Sequence, residues 1–517
     1  MGAQIEPIDC AEVRWRWDGF LPRSYLFSLA EVESEPTGLQ SVPLPRGRLF
    51  ISPDYECHVD CAGSSYVVLI GHCLDLAHPD CGEPEIARSL LRCAVEHGID
   101  AMLSRTDDLF GRFGLICHVG DRCHVVGDAC GTRTIYFAED RPAVASHSTL
   151  LGELIGVAPR RDMFRHYWCA LPGNASPVEG VRILPANFVL ALGDRTMRRF
   201  WPRTSRCERA TSQVIDEAEA LLTRVAQATA ARWSPALSLT AGLDSRLSLS
   251  IYSGLPDLVT FTYDRGVQDT VDADTASRLS KRLGIAHRRL PLVEPHNAPA
   301  AYQVQRLISD CPINTNLGPI CLNGFRDGNN AFIHVRSSLA EIGRSFWRNH
   351  PGMPTTFDPS NWTLVSLSKA TAALPLREQA AQYMQDEMRR FFVAAGYDST
   401  DPQSPEIMGY DAWDLCYIEH RMSTWHGPSL MAYDMAFDTS IPFNCRRVVE
   451  LLLSAPLAAR RKATVFHSII QRRCPEIADI PINPRPRRTP GQLAYGAYRQ
   501  LRRRAGFLRA LEARFGH

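Results

Sequence analysis

Through about residue 200, apolar positions come in short runs flanked by turn residues, a pattern that predicts a β-rich unit. Tyr66 to Gly71, Phe113 to Cys117 and Cys123 to Gly127 read as strands. Glu85 to His97 has helical spacing, with Ile86, Leu90, Leu91 and Val95 assigned to one face. Phe188 to Asp194 reads as a closing hairpin strand and turn, and Trp201 to Ser205 as a linker. The period then changes. From Gln213 to Ala231, Ile215, Ala218, Leu221, Leu222 and Val225 recur every third or fourth residue, which predicts a long helix. A strand at Ala236 to Leu239, a helix from Ser245, a strand at Leu258 to Tyr263 and a helix at Ala273 to Leu283 follow. That alternation predicts a doubly wound parallel sheet. From Asn361 onward the pattern is mostly helical. Two domains are expected, 1–200 and 201–517.

Composition agrees with two globular units. A chain of 517 residues exceeds one ordinary core, and its 45% hydrophobic and 22% charged content is that of a folded protein. The formal net charge of +1 gives no electrostatic reason to expect nucleic acid or a membrane surface as partner. Apolar runs such as Tyr66 to Ile70 are strand-sized, far from the ~20 residues a bilayer requires. The first residues lack a signal-peptide layout, and Glu6 stands where a myristoylation signal wants Ser or Thr, so the cytoplasm is the expected location. Sixteen cysteines include no CxxC pair. Cys57-His58-x-x-Cys61, His72-Cys73 and His78-x-x-Cys81 lack structural-zinc spacing, and reduced, mostly buried thiols are expected.

The chemistry concentrates in Leu237 to Arg246, a strand that ends in a small-residue turn and opens a helix. Such a turn exposes backbone N–H groups, and the helix N-terminus adds its positive end, so a phosphate is favoured there. The hydroxyls of Thr240 and Ser245 can donate to phosphate oxygens, Ala241 and Gly242 leave room for close approach, and Asp244 can hold Mg²⁺. The turn is neither a Walker A loop nor a GxGxxG turn. An ordinary strand–helix turn with an Asp-Ser cap is the alternative.

Thr240-Ala241-Gly242-Leu243-Asp244-Ser245 resembles the Ser-Gly-Gly-x-Asp-Ser pyrophosphate loop of the asparagine synthetase-like ATP enzymes, with Thr for Ser and Ala for the first Gly. Asparagine synthetase, β-lactam synthetase, carbapenam synthetase and lasso-peptide cyclases belong to this family. The likeness continues through Thr260-Phe261-Thr262-Tyr263, Asp272-x-Asp274-x-Ala276, Leu283-Gly284-Ile285-Ala286-His287, Glu419 to Trp425 and Ile441-Pro442-Phe443. Asp108 to Phe113, Gly127 to Tyr136 and Ala145-Ser146-His147-Ser148 resemble the class II glutamine amidotransferase domain. The implied fold is an Ntn-type αββα sandwich followed by a PP-loop doubly wound parallel sheet with a helical extension. The amidotransferase nucleophile is a cysteine exposed by removal of Met1. Here Gly2 follows Met1 and the first cysteine is Cys10, so the implied glutaminase is lost unless processing reaches Cys10.

The resemblance assigns roles residue by residue. Ser238, Leu239, Thr240, Ala241, Gly242, Asp244, Ser245, Thr262 and Tyr263 would bind ATP. Val335 to Arg344 aligns with a second phosphate-and-metal loop, placing Glu341 at the metal carboxylate, Ser338 at a catalytic position, and Arg336 and Arg344 near the triphosphate. Lys462 takes the place of a catalytic Lys, Phe466 replaces a family Arg, and His467 is a second cation candidate when protonated. Glu419 is the candidate general base, with Tyr417 as its partner. Solvated or packed roles for each of these are the alternatives.

The expected reaction uses ATP and Mg²⁺ to adenylate a carboxylate, releasing pyrophosphate, after which an amine displaces AMP. Both groups in one molecule give a lactam or macrolactam, as in a lasso-peptide cyclase. Two molecules give an open amide. Substrates would be small molecules or peptides, with a precursor peptide or carrier protein as a further expected partner and neither nucleic acid nor membrane. The basic C-terminus, Pro484 to Arg504, reads as a solvated face, a lid or a dock for such a partner. Alternatives are amidation with free ammonia, a tRNA modifier sharing the PP-loop, and a nucleotide-binding pseudoenzyme.

Overall fold

The computed structural model describes residues 21–160, 171–264, 270–292, 305, 308–310, 332–350, 356–358, 378–435 and 437–484. Cys10 and the basic stretch from residue 485 lie outside them. Strands β1 (Tyr25–Ser28), β2 (Gln40–Pro43), β3 (Arg48–Ile51), β4 (Cys57–Ala62), β5 (Ser65–Asp75) and β6 (Leu109–Val119) come first. They are followed by β7 (Arg122–Gly127), β8 (Tyr136–Ala138), β9 (Ala143–Ala145), β10 (Val181–Ile183), β11 (Phe188–Ala191) and β12 (Thr196–Arg199). These form two antiparallel sheets, ordered β10-β8-β9-β1-β3-β2 and β12-β11-β7-β6-β5-β4.

The two-residue side-chain period explains how the sheets stack. Tyr25 and Phe27 of β1 share one core cluster with Val68 and Ile116 of the second sheet. Leu26, between them, faces the other way and packs with Leu150 and Leu151 of helix α3 (Ser148–Ile155). In β3, Leu49 and Ile51 alternate with Phe50 in the same manner. Helix α1 (Glu83–His97), followed by α2 (Ile99–Arg105), covers the second sheet with Ile86, Leu90, Leu91 and Ala94, completing an α–β–β–α sandwich. Val95, expected on that face, is 49% exposed. At about 100° per residue it stands roughly 180° around the helix from Ile86.

The later strands β13 (Ser234–Ser238), β14 (Val259–Asp264), β15 (Ala286–Pro291), β16 (Phe332–Val335) and β19 (Thr439–Ser440) form an all-parallel sheet. A small hairpin of β17 (Glu406–Ile407) and β18 (Tyr410–Asp411) stands apart. Leu237, Ile333 and Val335 share a core with Leu222 of α4 (Thr211–Arg232), Leu247 of α5 (Leu243–Tyr252) and Leu279 of α6 (Thr270–Arg282). Ala236 and Phe261 pack into a separate cluster with Phe437. The strand order is β15-β14-β13-β16-β19. The chain adds strands on one side of β13 and later on the other, so the loops leaving β13 and β16 diverge. In sheets of this kind that divergence opens a crevice at the carboxyl ends of the strands.

Buried polar contacts join the sandwich to the parallel-sheet half. Arg112 Nη1 and Arg133 Nη1 donate to the two oxygens of Asp434, at 2.8 and 2.6 Å. Burial pushes the Asp434 carboxyl up, but the guanidinium groups of Arg112, Arg133 and Arg23 outweigh it and hold it below its ordinary range. The turn from Gly127 to Arg133 is organised by Asp128, which accepts the amides of Thr132 and Arg133 at 2.8 Å each. Asn444 accepts the Cys130 amide at 3.0 Å and donates to Thr132 Oγ1 at 2.9 Å. Among the described residues no helix is long and apolar enough to cross a membrane.

Candidate functional site

The Leu239–Ser245 turn leaves β13 at the crevice and opens α5. Leu239 donates its amide to Phe261 O at 2.8 Å and accepts the Thr262 hydroxyl at 2.6 Å, which ties the turn to β14. Tyr263 packs edge-on against Phe261, and Ser238 Oγ reaches Val335 O at 3.4 Å. Within the turn, Thr240 Oγ1 and Ser245 Oγ lie 3.0 Å apart, and Gly242 N donates to Thr240 Oγ1 at 3.1 Å. The Ala241 amide donates to the carboxylate of Asp272 at 2.8 Å. That amide thus already holds an anionic oxygen, supplied by the start of α6.

The second loop follows β16 and carries its polar groups on a 3₁₀ turn, Ala340–Arg344. Leu339 and Ser345, on either side of it, both have left-handed backbone, with φ of 73° and 50°. Left-handed conformations cost non-glycine residues energy and cluster at sites where the backbone must present particular groups. Gly343 is required for packing, since a Cβ there would lie 3.0 Å from Leu452 and 3.2 Å from Phe466. Phe466 is 1% exposed and packs against this turn, so the position at which the resemblance implies an Arg serves packing.

Here the two loops meet. Arg344 donates from Nε and Nη2 to the two oxygens of Asp244, at 2.9 and 2.8 Å. Tyr417 donates its hydroxyl to Glu341 at 2.9 Å. Burial, and then the negative charge of Asp244, push Glu341 up to about 6, with the Tyr417 bond and Arg344 opposing. Ser338 Oγ lies 2.9 Å from Nε2 of His426, a buried imidazole that desolvation holds well below its ordinary pKa and therefore neutral.

Tyr417 and Glu419 do not pair. They lie on a π-helical segment, Tyr417–His426, and residues two apart on a helix do not face each other. Glu419 turns the other way and is 0% exposed. It accepts Arg199 Nη2 at 2.6 Å and Nε at 3.1 Å, the Tyr397 hydroxyl at 2.5 Å and Asn187 Nδ2 at 3.3 Å. Its carboxylate thus ties the sandwich to the parallel-sheet half, and Glu341 is the carboxylate bonded to Tyr417. The same segment sends Ser423 Oγ to the Ala186 amide at 2.8 Å. Lys462 ends a short helix, Leu457–Arg461, with its side chain exposed. Asn349 Nδ2 joins its neighbour Arg461 O to Arg344 O, at 3.1 Å each. His467, on the helix Thr464–Arg473, is exposed and lines a different cleft, with Arg246.

The sequence held no local signal for Asp272 on the Ala241 amide, for Arg199 and Tyr397 on Glu419, or for His426 on Ser338. Each contact joins residues distant in the chain or on different helix faces. The sequence offered Arg421, two residues on, as a partner for Glu419, whereas the structure supplies Arg199.

Asp244 and Glu341 offer hard carboxylate oxygens of the kind a divalent cation takes, and the charge of Asp244 helps raise the Glu341 pKa, while both Asp244 oxygens are held by Arg344.

No protein-family model matches the chain, and no curated protein matches it. Among solved structures, similarity extends to the U34-tRNA thiolase NcsA from Methanococcus maripaludis with its 4Fe–4S cluster. Identity there is 12%, over 43% of this chain and 78% of that one, at a TM-score of 0.19. It also extends to the glutamine phosphoribosylpyrophosphate amidotransferase from B. subtilis complexed with ADP and GMP, at 11% identity, 63% and 71% coverage and a TM-score of 0.22. An allosteric regulatory enzyme of purine biosynthesis matches at 10% identity, 63% and 71% coverage and a TM-score of 0.23.

Proposed function

We propose that the chain is an ATP-dependent, AMP-forming amide ligase whose site is the crevice between the loops after β13 and β16. The observation that carries this reading is the contact between those loops, Asp244 with Arg344 beside Glu341 with Tyr417. A strand-to-helix turn of small and hydroxylated residues supplies donors for phosphate oxygens. The second loop brings a carboxylate and a guanidinium to the same place. A magnesium ion held by Asp244 and Glu341 would neutralise triphosphate charge and template its geometry.

The chain's own groups then have distinct tasks. The Thr240 and Ser245 hydroxyls and the turn amides would grip the pyrophosphate end of ATP. A carboxylate substrate attacks the α-phosphorus, the bond to pyrophosphate breaks, and an acyl-adenylate forms. Arg344, released from Asp244, would place its guanidinium on the oxygens that gain charge, a task assigned in the sequence to Lys462. The incoming amine must lose a proton to displace AMP, and Glu419, encased by Arg199, Tyr397 and Asn187, is poorly placed to take it. A carboxylate and amine in one molecule would close a lactam or macrolactam; free ammonia or a second molecule would give an open amide.

One observation favours a non-catalytic, nucleotide-binding scaffold: Arg344 takes both oxygens of Asp244, the pair a metal would use. ATP–pyrophosphate exchange across a panel of amino-acid, peptide and small-metabolite carboxylates separates the two. A ligase exchanges label with at least one carboxylate, and a scaffold with none.

A further inference from the structure

A second cleft, of about 530 Å³, is lined by Arg246 of α5 and by residues of the helix Thr464–Arg473, and has no task in the reaction above. Its lining includes Arg246, His467, Ser468, Gln471 and Arg472, with no carboxylate among the described residues that line it. Arg246 is the buried member, at 1% exposure. Two of its nitrogens donate to backbone carbonyls, Nη1 to Ile480 O and Nη2 to Pro481 O, while its Nε has no hydrogen-bond partner. Burial alone lowers its pKa from the ordinary guanidinium value. Arg472, at the rim, is paired with Asp216 at 2.6 Å and stands 3.7 Å from Glu219.

A buried cation is normally paired, because carbonyl dipoles only partly replace the water it has lost. Arg246 lines a cleft with hydroxyl, amide and imidazole groups, and among the described residues no carboxylate pairs with it. A compact anion offers several acceptor oxygens to groups of these kinds, and a guanidinium is suited to phosphate geometry.

We propose that this cleft binds a small phosphate-class anion, inorganic phosphate or pyrophosphate, at a site separate from the Thr240–Ser245 turn. The site adjoins that turn through one stretch of backbone. Ile480 and Pro481 hold Arg246, and Asn483 donates its amide to Ala241 O at 3.0 Å.

Isothermal titration of the full-length protein with inorganic phosphate, and separately with pyrophosphate, tests the site. Saturable binding is expected in the wild type and in the loop variant Thr240→Ala/Ser245→Ala. The surface variant His467→Ala/Gln471→Ala should weaken it by roughly tenfold or more, as lost hydrogen bonds to a charged ligand do. Arg246→Gln should remove it, and circular dichroism shows whether that variant folds. If it does not, the surface variant still decides. An ATP analogue that leaves phosphate binding intact supports separate sites, and one that competes with it point for point overturns them. Absence of saturable binding, loss in the loop variant with retention in the surface variant, or equal binding of acetate would each also overturn the proposal.

Discussion

Arg344 grips Asp244 through two parallel hydrogen bonds of 2.9 and 2.8 Å, joining loops that follow different strands of the parallel sheet. Both side chains are 24% exposed, so the pair is accessible to an incoming ligand. The same aspartate is therefore a partner for Arg344 in this structure and the proposed partner of a cation during turnover.

Asp244→Asn should abolish ATP–pyrophosphate exchange while leaving the fold intact. Arg344→Gln should lower exchange by roughly 10²–10³-fold, the loss seen when one donor to developing charge is removed. Exchange at the wild-type rate in either variant would remove these residues from the site.

Glu341 should set the acid limb of activity. Its pKa is pushed up to about 6 in the cation-free site, and holding a cation requires the ionised form, so cation binding, and with it the rate, should weaken as pH drops through that value. The Tyr417 hydroxyl favours ionisation, so Tyr417→Phe should move the limb to higher pH. The sign for stability is opposite. A carboxyl whose folded pKa is raised from 4.5 stabilises the fold below that pH and loses the contribution as pH rises through about 6. Glu341→Gln should make stability flatter across that window in denaturant titrations. A pH–rate profile unmoved by Tyr417→Phe would count against the pairing.

Glu419→Ala should cost stability before it costs chemistry. Removing one partner of a buried ion pair typically costs ~3–5 kcal/mol, and Arg199 and Tyr397 would both lose their acceptor. Urea unfolding should show the loss. Full stability with a defect confined to the amine half-reaction would instead return Glu419 to the role of base.

Asp434→Asn should loosen the junction between the two halves, since Arg112 and Arg133 would lie buried against a neutral amide. The Asp434 carboxyl is held below 3.8, so its contribution is present above that pH and fades as pH falls through the lowered folded value. The wild type should therefore lose stability on strong acidification more steeply than the variant. Hydrogen exchange should rise first in β6 and around Asn444, and unchanged protection there would show that the ion pairs are dispensable.

The elements themselves were legible because hydrophobic period is a local property. The helix expected at Gln213 to Ala231 forms at Thr211–Arg232, and the strand at Leu258 to Tyr263 forms at Val259–Asp264. The small-residue turn at 240–245 was legible for the same reason: strand, turn and helix lie within ten consecutive residues. The sequence thus determined the alternation of elements, a β-rich first part followed by a parallel sheet, and the strand–turn–helix at 240–245, while the αββα class came from the resemblance.

Tertiary structure decided which side chains meet. Val95 lies outside the buried face because it stands on the opposite side of α1 from Ile86. Tyr417 and Glu419 diverge because a helix separates residues two apart, and Glu341 was brought to Tyr417 by a loop 76 residues earlier. Whether a carboxylate is a base, a metal ligand or an interface clasp depends on the charge and burial around it. Those are supplied by residues distant in the chain, and no local pattern encodes them.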